Sequence, residues 1–92
     1  MTVTQPAPGD RLTGQVVEVL RRHLRGATPA RPLAPATRLE DLGLDSLSAM
    51  SLLLDLEDRF GVSFPDSMLT AGTFRTVGTL RAAIGSLTGR ER

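Results

Sequence analysis

The 92-residue chain has no cysteine, no tryptophan and no tyrosine, and only three phenylalanines. Without cysteine there is no disulfide scaffold, thiolate zinc site, iron–sulfur ligation or cysteine nucleophile, and the redox compartment is left open. Lysine is missing too: all eleven basic side chains are arginine, as a GC-rich genome produces. Long apolar runs are also missing. Leu52 to Leu54 falls far short of the ~20 residues of a bilayer span, and the polar N-terminus lacks the apolar centre of a secretion signal. These absences predict a soluble, cytoplasmic protein with no membrane partner. There is one histidine, His23, set among Arg21, Arg22 and Arg25. It reads as a solvated side chain on the polar side of a helix, and a serine-histidine-acid triad built on it would lack a cleft-forming fold. No calcium-loop spacing is present, and Glu57 and Asp58 read as a solvated helix face, so neither a metal site nor acid-base catalysis is expected. The chain is read as a non-enzyme.

Charge is balanced overall at +1 but segregated. Residues 1–38 carry six arginines against Asp10 and Glu18, residues 39–74 carry Arg59 against seven carboxylates, and residues 75–92 carry four arginines against Glu91. An acidic middle thus lies between two basic blocks. The arginines are scattered and not interleaved with aromatics on one element, which argues against a nucleic-acid partner.

Proline and glycine divide the chain. Residues 1–9 read as a flexible lead, 10–88 as one domain and 89–92 as a tail. Asp10 is expected to cap a helix over roughly residues 10–25, with Leu12, Val16, Val17, Leu20 and Leu24 along one face. Gly26, Pro29, Pro32 and Pro35 then impose a long connection. Arg38 to Gly43 reads as a single turn pinned by Leu39 and Leu42, closed by a glycine. Asp45 to Phe60 is the strongest helix, with Asp45 as cap and Gly61 as stop. Short turns over Asp66–Leu69 and Thr70–Phe74 precede a final helix capped by Thr76, with Val77, Leu80, Ile84 and Leu87 in register. No strand pattern and no repeat is present. The fold class is all-α, three principal helices with one or two short ones, and a core of Leu20, Leu52, Leu53, Leu56, Phe60, Leu80 and Ile84.

Two features exceed what folding needs. On the Asp45–Phe60 helix, Leu52, Leu53, Leu56 and Phe60 share a core-facing arc, but Leu47, Met50 and Leu54 form a second apolar stripe on another face, flanked by Glu57 and Asp58. Either the helix is sandwiched on two sides, or the strip docks partner proteins. The second feature is Ser46, set behind a glycine turn where free backbone amides and the helix dipole favour an anion such as a phosphate ester. Serine is also common there for structural reasons alone.

Leu42-Gly43-Leu44-Asp45-Ser46-Leu47 resembles the attachment motif of acyl carrier proteins, whose serine receives 4'-phosphopantetheine. The similarity runs on through Leu52 to Gly61 (LLLDLEDRFG), Phe64-Pro65 and the last helix, and covers about residues 10–88. It implies an acyl-carrier-like four-helix bundle with a long first loop and a short third helix. It further implies that Ser46 bears the prosthetic arm, that Asp45 caps the helix and assists transferase recognition, and that Leu47, Met50, Leu54, Glu57 and Asp58 meet partner enzymes. The arm's thiol would supply what a chain without cysteine lacks.

Carriers of bacterial fatty-acid synthesis are strongly acidic, with acidic residues where this chain has Ser48 and Ser51, whereas this chain has a pI of about 9.0. The resemblance therefore points to a freestanding, monomeric carrier of polyketide-type secondary metabolism. Its expected partners are a phosphopantetheinyl transferase and, transiently, acyltransferase, ketosynthase or adenylation enzymes. A peptidyl or aminoacyl carrier of a nonribosomal or mixed pathway is the alternative. From other classes, the alternatives are an unmodified helical adaptor and a small nucleic-acid-binding regulator.

Overall fold

Three amphipathic segments form α-helices in the computed structural model, which describes residues 8–89: α1 (Pro8–His23), α2 (Ser46–Phe60) and α3 (Val77–Thr88). The expected flexible lead falls outside the described residues up to position 7, as does the tail from position 90. Helix α1 starts two residues earlier than the sequence suggests, so Asp10 lies in its first turn and does not precede it. The reason is Pro8: its fixed φ suits a helical first turn, and the N–H it lacks is one a helix leaves unbonded anyway. At the other end α1 stops at His23, because the chain peels away at Gly26 to donate its amide to the Leu42 carbonyl at 2.8 Å.

The core is built mainly by α1, which packs against both other helices. Leu12, Val16, Val19 and Leu20 of α1 are buried with Leu52 and Leu56 of α2 and Val77, Leu80 and Ile84 of α3. Burying each such side chain is worth about 1.5–3 kcal/mol. Leu53 and Phe60, assigned to the core from the sequence, are instead half-buried against its edge. Leu53 faces a groove, described below, and Phe60 stands in the last turn of α2, where cover runs out.

Two short 3-10 turns complete the fold, Glu40–Leu42 and Asp66–Met68. The first ends at Gly43, whose φ of +102° lies in the left-handed region that favours glycine. The second stands where the resemblance implies a short third helix. Three residues entered from Pro65 do not complete an α-turn, and the chain passes directly into a Thr70–Phe74 turn pinned by the Thr73 amide on Thr70 Oγ1 at 3.2 Å. The described residues thus contain three α-helices and two 3-10 turns, with no strand beyond one isolated antiparallel bridge, Arg38 to Thr76.

That bridge fixes the long first connection. Leu39 donates its amide to the Arg75 carbonyl at 2.9 Å, Val77 to Thr37 at 3.0 Å and Gly78 to Pro35 at 2.8 Å. Gly78 here, and Gly26 at the end of α1, both stand where a side chain would crowd a neighbouring backbone. A Cβ on Gly26 would lie 2.7 Å from the Leu42 Cα, and one on Gly78 would lie 3.0 Å from the Pro35 carbonyl oxygen. The loop is therefore tied to the end of α1 and the start of α3, and it delivers Leu42 to Ser46 between them.

Candidate functional site

The start of α2 is shaped by three consecutive devices. Gly43 turns the chain left-handed, the Leu44 amide bonds the Leu39 carbonyl at 3.1 Å, and Asp45 enters the extended conformation of a helix cap. Asp45 Oδ1 accepts from the Ser48 amide at 2.8 Å, while Ser48 Oγ accepts from the Asp45 amide at 2.9 Å. This reciprocal pair satisfies two backbone donors that a helix start leaves open. The Ser48 amide, followed by its hydroxyl, holds the Asp45 carboxyl below its usual range, so the cap is ionised at neutral pH.

Ser46 is the first residue of α2 and is exposed. Among the described residues no histidine or carboxylate is bonded to its hydroxyl. The carboxylate beside it is bonded to Ser48, and His23 is held by another group. The hydroxyl is presented to solvent at the start of the helix.

Two clefts open from Ser46. One, of about 470 Å³, mixes charged and apolar lining, with Arg38, Glu40, Asp45 and Arg75 beside Leu44 and Phe74. The second, of about 350 Å³, is apolar and runs between Met50 and Leu53 of α2 and Leu69 and Phe74 beyond it. The tilted Phe64–Phe74 ring pair, with centroids 6.0 Å apart, ties Phe74 to the core.

The second stripe of α2 is uncovered. Leu47 is 83% exposed, Met50 59% and Leu54 58%, and Leu69 adds a fourth apolar side chain at 44%. Single exposed leucines are ordinary, but four large apolar side chains beside one serine form a patch. Asp58 is exposed at its rim. Glu57 is half-buried, and its Oε2 accepts from the Phe64 amide at 2.8 Å, so it also fastens the chain after Gly61 onto α2.

Reasoning from sequence missed several contacts. His23, expected to be solvated, lies with Nε2 2.8 Å from Asp55 Oδ2, joining the end of α1 to the middle of α2. That hydrogen bond is the main reason the Asp55 carboxyl is held below its usual range. Arginines crowd His23 in sequence, but α2 crosses at that level, and only the packing reveals it. The approach of Arg38, Arg75 and Phe74 to Ser46 was equally invisible, being set by the bridge between distant segments. The Asp45–Ser48 box carried a signal in its spacing, with serine in the third helical place more often held by glutamate or glutamine.

Among the described residues no group of three or more histidine or carboxylate side chains gathers as a metal site, and no helix is long and apolar enough to cross a membrane.

Against known proteins, residues 10–89 match the family described as the phosphopantetheine attachment site. The chain is 35% identical over 74 residues to the acyl carrier protein of Rhodococcus erythropolis, covering 80% of this chain and 75% of that one. Among solved structures it superposes on a chain from the complex of an engineered Bradyrhizobium japonicum glycine:[carrier protein] ligase with a carrier protein from Agrobacterium tumefaciens. The TM-score is 0.73 at 24% identity, over 83% of this chain and 99% of that chain. It also superposes on a chain from the complex of the B. japonicum ligase with glycylated carrier protein, with a TM-score of 0.60 at 28% identity, over 82% and 96%.

Proposed function

The chain belongs to the acyl carrier protein family, and on that premise we propose that Ser46 is where it bears its 4'-phosphopantetheine. Family members are carriers and not catalysts: the cofactor's terminal thiol holds the cargo as a thioester. The observation that carries the assignment is the exposed Ser46 hydroxyl in the first turn of α2, beside an ionised cap and at the mouth of both clefts. The site fits the group. An anion on Ser46 meets the positive end of the helix, and the arm can leave along either cleft.

In this reading the protein's residues have divided tasks. Asp45 and Ser48 fix the turn so that Ser46 is presented to a phosphopantetheinyl transferase, with Asp45 in its recognition surface. Leu47, Met50 and Leu54, with Asp58 and the outer edge of Glu57, form the face that loading and condensing enzymes grip. The Asp66–Met68 turn and the segment to Phe74 stand in for the short third element of the four-helix description. Docking is brief, since a carrier must leave one acyltransferase, ketosynthase or adenylation enzyme to reach the next.

A polyketide-type secondary pathway is the reading we favour. Its support is a pI of about 9.0 and the serines at 48 and 51, which weaken electrostatic steering and leave apolar contact to set affinity. The aminoacyl alternative draws on the similarity to a structure containing glycylated carrier protein. The test is intact mass after incubation with coenzyme A and a broad-specificity transferase. One added phosphopantetheine, absent from Ser46→Ala, is expected. No addition to the wild type would favour an unmodified helical adaptor.

A further inference from the structure

The larger cleft beside Ser46 contains two cations, Arg38 and Arg75, which come from either side of the acidic middle of the sequence. Arg38 comes from the end of the long loop and Arg75 from the residue before the cap of α3, and the Arg38–Thr76 bridge holds the two together. Their backbones are fixed by the Leu39 amide on the Arg75 carbonyl at 2.9 Å and the Val77 amide on the Thr37 carbonyl at 3.0 Å. The charges around them are unequally committed. Arg38 Nη2 is ion-paired with Glu40 Oε1, and the Asp45 carboxylate is bonded to Ser48. Among the described residues no carboxylate pairs with Arg75. Arg75 is thus the cation without an ion-pair partner in a charge-balanced cleft whose wall includes Ser46.

We propose that Arg75, supported by Arg38, is the seat of the phosphodiester that joins the prosthetic arm to Ser46, so that the root of the arm lies in the arginine-lined cleft and not free in solvent. The inference rests on the carrier reading of Ser46. Covalent geometry selects the ligand. A phosphate esterified to Ser46 Oγ remains at the cleft wall whichever way the arm extends, whereas an anionic group at the cargo end must double back to reach it. Guanidinium also suits phosphate oxygens, which its planar fork can bind in pairs. The seat directs the arm: anchored on the Arg75 side, it starts away from Leu47 and Leu54, leaving the apolar face clear for an approaching enzyme.

The experiment compares apo and holo protein by NMR, with loading first verified by intact mass. If loading fails, the carrier reading of Ser46 is at fault, and this inference falls with it for that separate reason. With loading verified, the Arg75 guanidinium signals are expected to shift between apo and holo forms, and the phosphorus resonance of the holo protein is expected to move in Arg75→Gln. Arg75→Lys, which keeps the charge and loses the fork, is expected to give a smaller displacement. Arg59→Gln, at the far end of α2, is expected to give none. Salt at 1 M, where screening acts over about 3 Å, is expected to shrink the Arg75 shift. Preserved amide dispersion in Arg75→Gln would show that the fold is intact, as its exposed position predicts. Arg75 signals that do not change on loading would overturn the proposal. So would signals that change only when the arm carries a carboxylated acyl group, since the anion would then be the cargo's.

Discussion

His23 Nε2 and Asp55 Oδ2 meet at 2.8 Å and connect the last turn of α1 to the middle of α2. The contact is partly open to water, with the two side chains 21% and 25% exposed, so its worth is modest. The Asp55 carboxyl, held below its ordinary 3.8 by His23, favours the folded state while ionised. That contribution is complete above 3.8 and is lost as pH falls through the lower folded-state value. Asp55→Asn is therefore expected to lower stability by roughly 0.5–1 kcal/mol at neutral pH. The gap from wild type is expected to close under more acidic conditions, as read from urea unfolding at a series of pH values.

The Asp45–Ser48 box is expected to control order around Ser46 more than global stability. Asp45→Ala is expected to speed amide exchange at Leu47 and Ser48 and to slow phosphopantetheine addition, while Asp45→Asn keeps the cap geometry and much of the rate. Hydrogen exchange and single-turnover mass spectrometry read the two effects separately.

Gly26→Ala introduces a methyl group against the Leu42 backbone, which has no side chain to move aside. A loss of about 1–3 kcal/mol is expected, as for other overpacked positions, measured as a lower urea midpoint with an unchanged slope.

Met50 and Leu56 lie on the same helix and make opposite predictions. Leu56→Ala, in the core, is expected to cost about 2–5 kcal/mol. Met50→Glu, on the exposed face, is expected to stay within about 0.5 kcal/mol of wild type while impairing transfer from a cognate enzyme. Normal transfer with a lowered melting temperature in Met50→Glu would place Met50 in the core and remove it from the docking face.

How much of this was legible in the sequence depended on the range of the physics involved. Local signals read well. Asp45, Thr76, Gly43 and Gly61 mark their turns through backbone preferences that act over a few residues, and the apolar period of α2 separated Leu52 and Leu56 from Leu47, Met50 and Leu54. Errors arose where a neighbour distant in sequence decides the outcome. Leu53 sits on the core arc of the wheel, yet it is half-buried because the segment from Leu69 to Phe74 leaves a groove beside it. His23 reads as solvated because its partner lies on another helix. At the N-terminus, Asp10 was the stronger cap by residue type, but Pro8 extended the helix beyond it. The place of Ser46 at the start of α2 was legible from the Asp45 cap, while the cleft beside it depends on the bridge between the first loop and α3.

The cross-tie of residues 35–39 to 75–78 also sets the rigidity of the body that a partner enzyme handles. The start of α2 is therefore braced by contacts made outside the helix itself, between the first loop and the start of α3. Stiffness near Ser46 is thus adjustable from Pro35 and Gly78, which lie in the tie and not on α2.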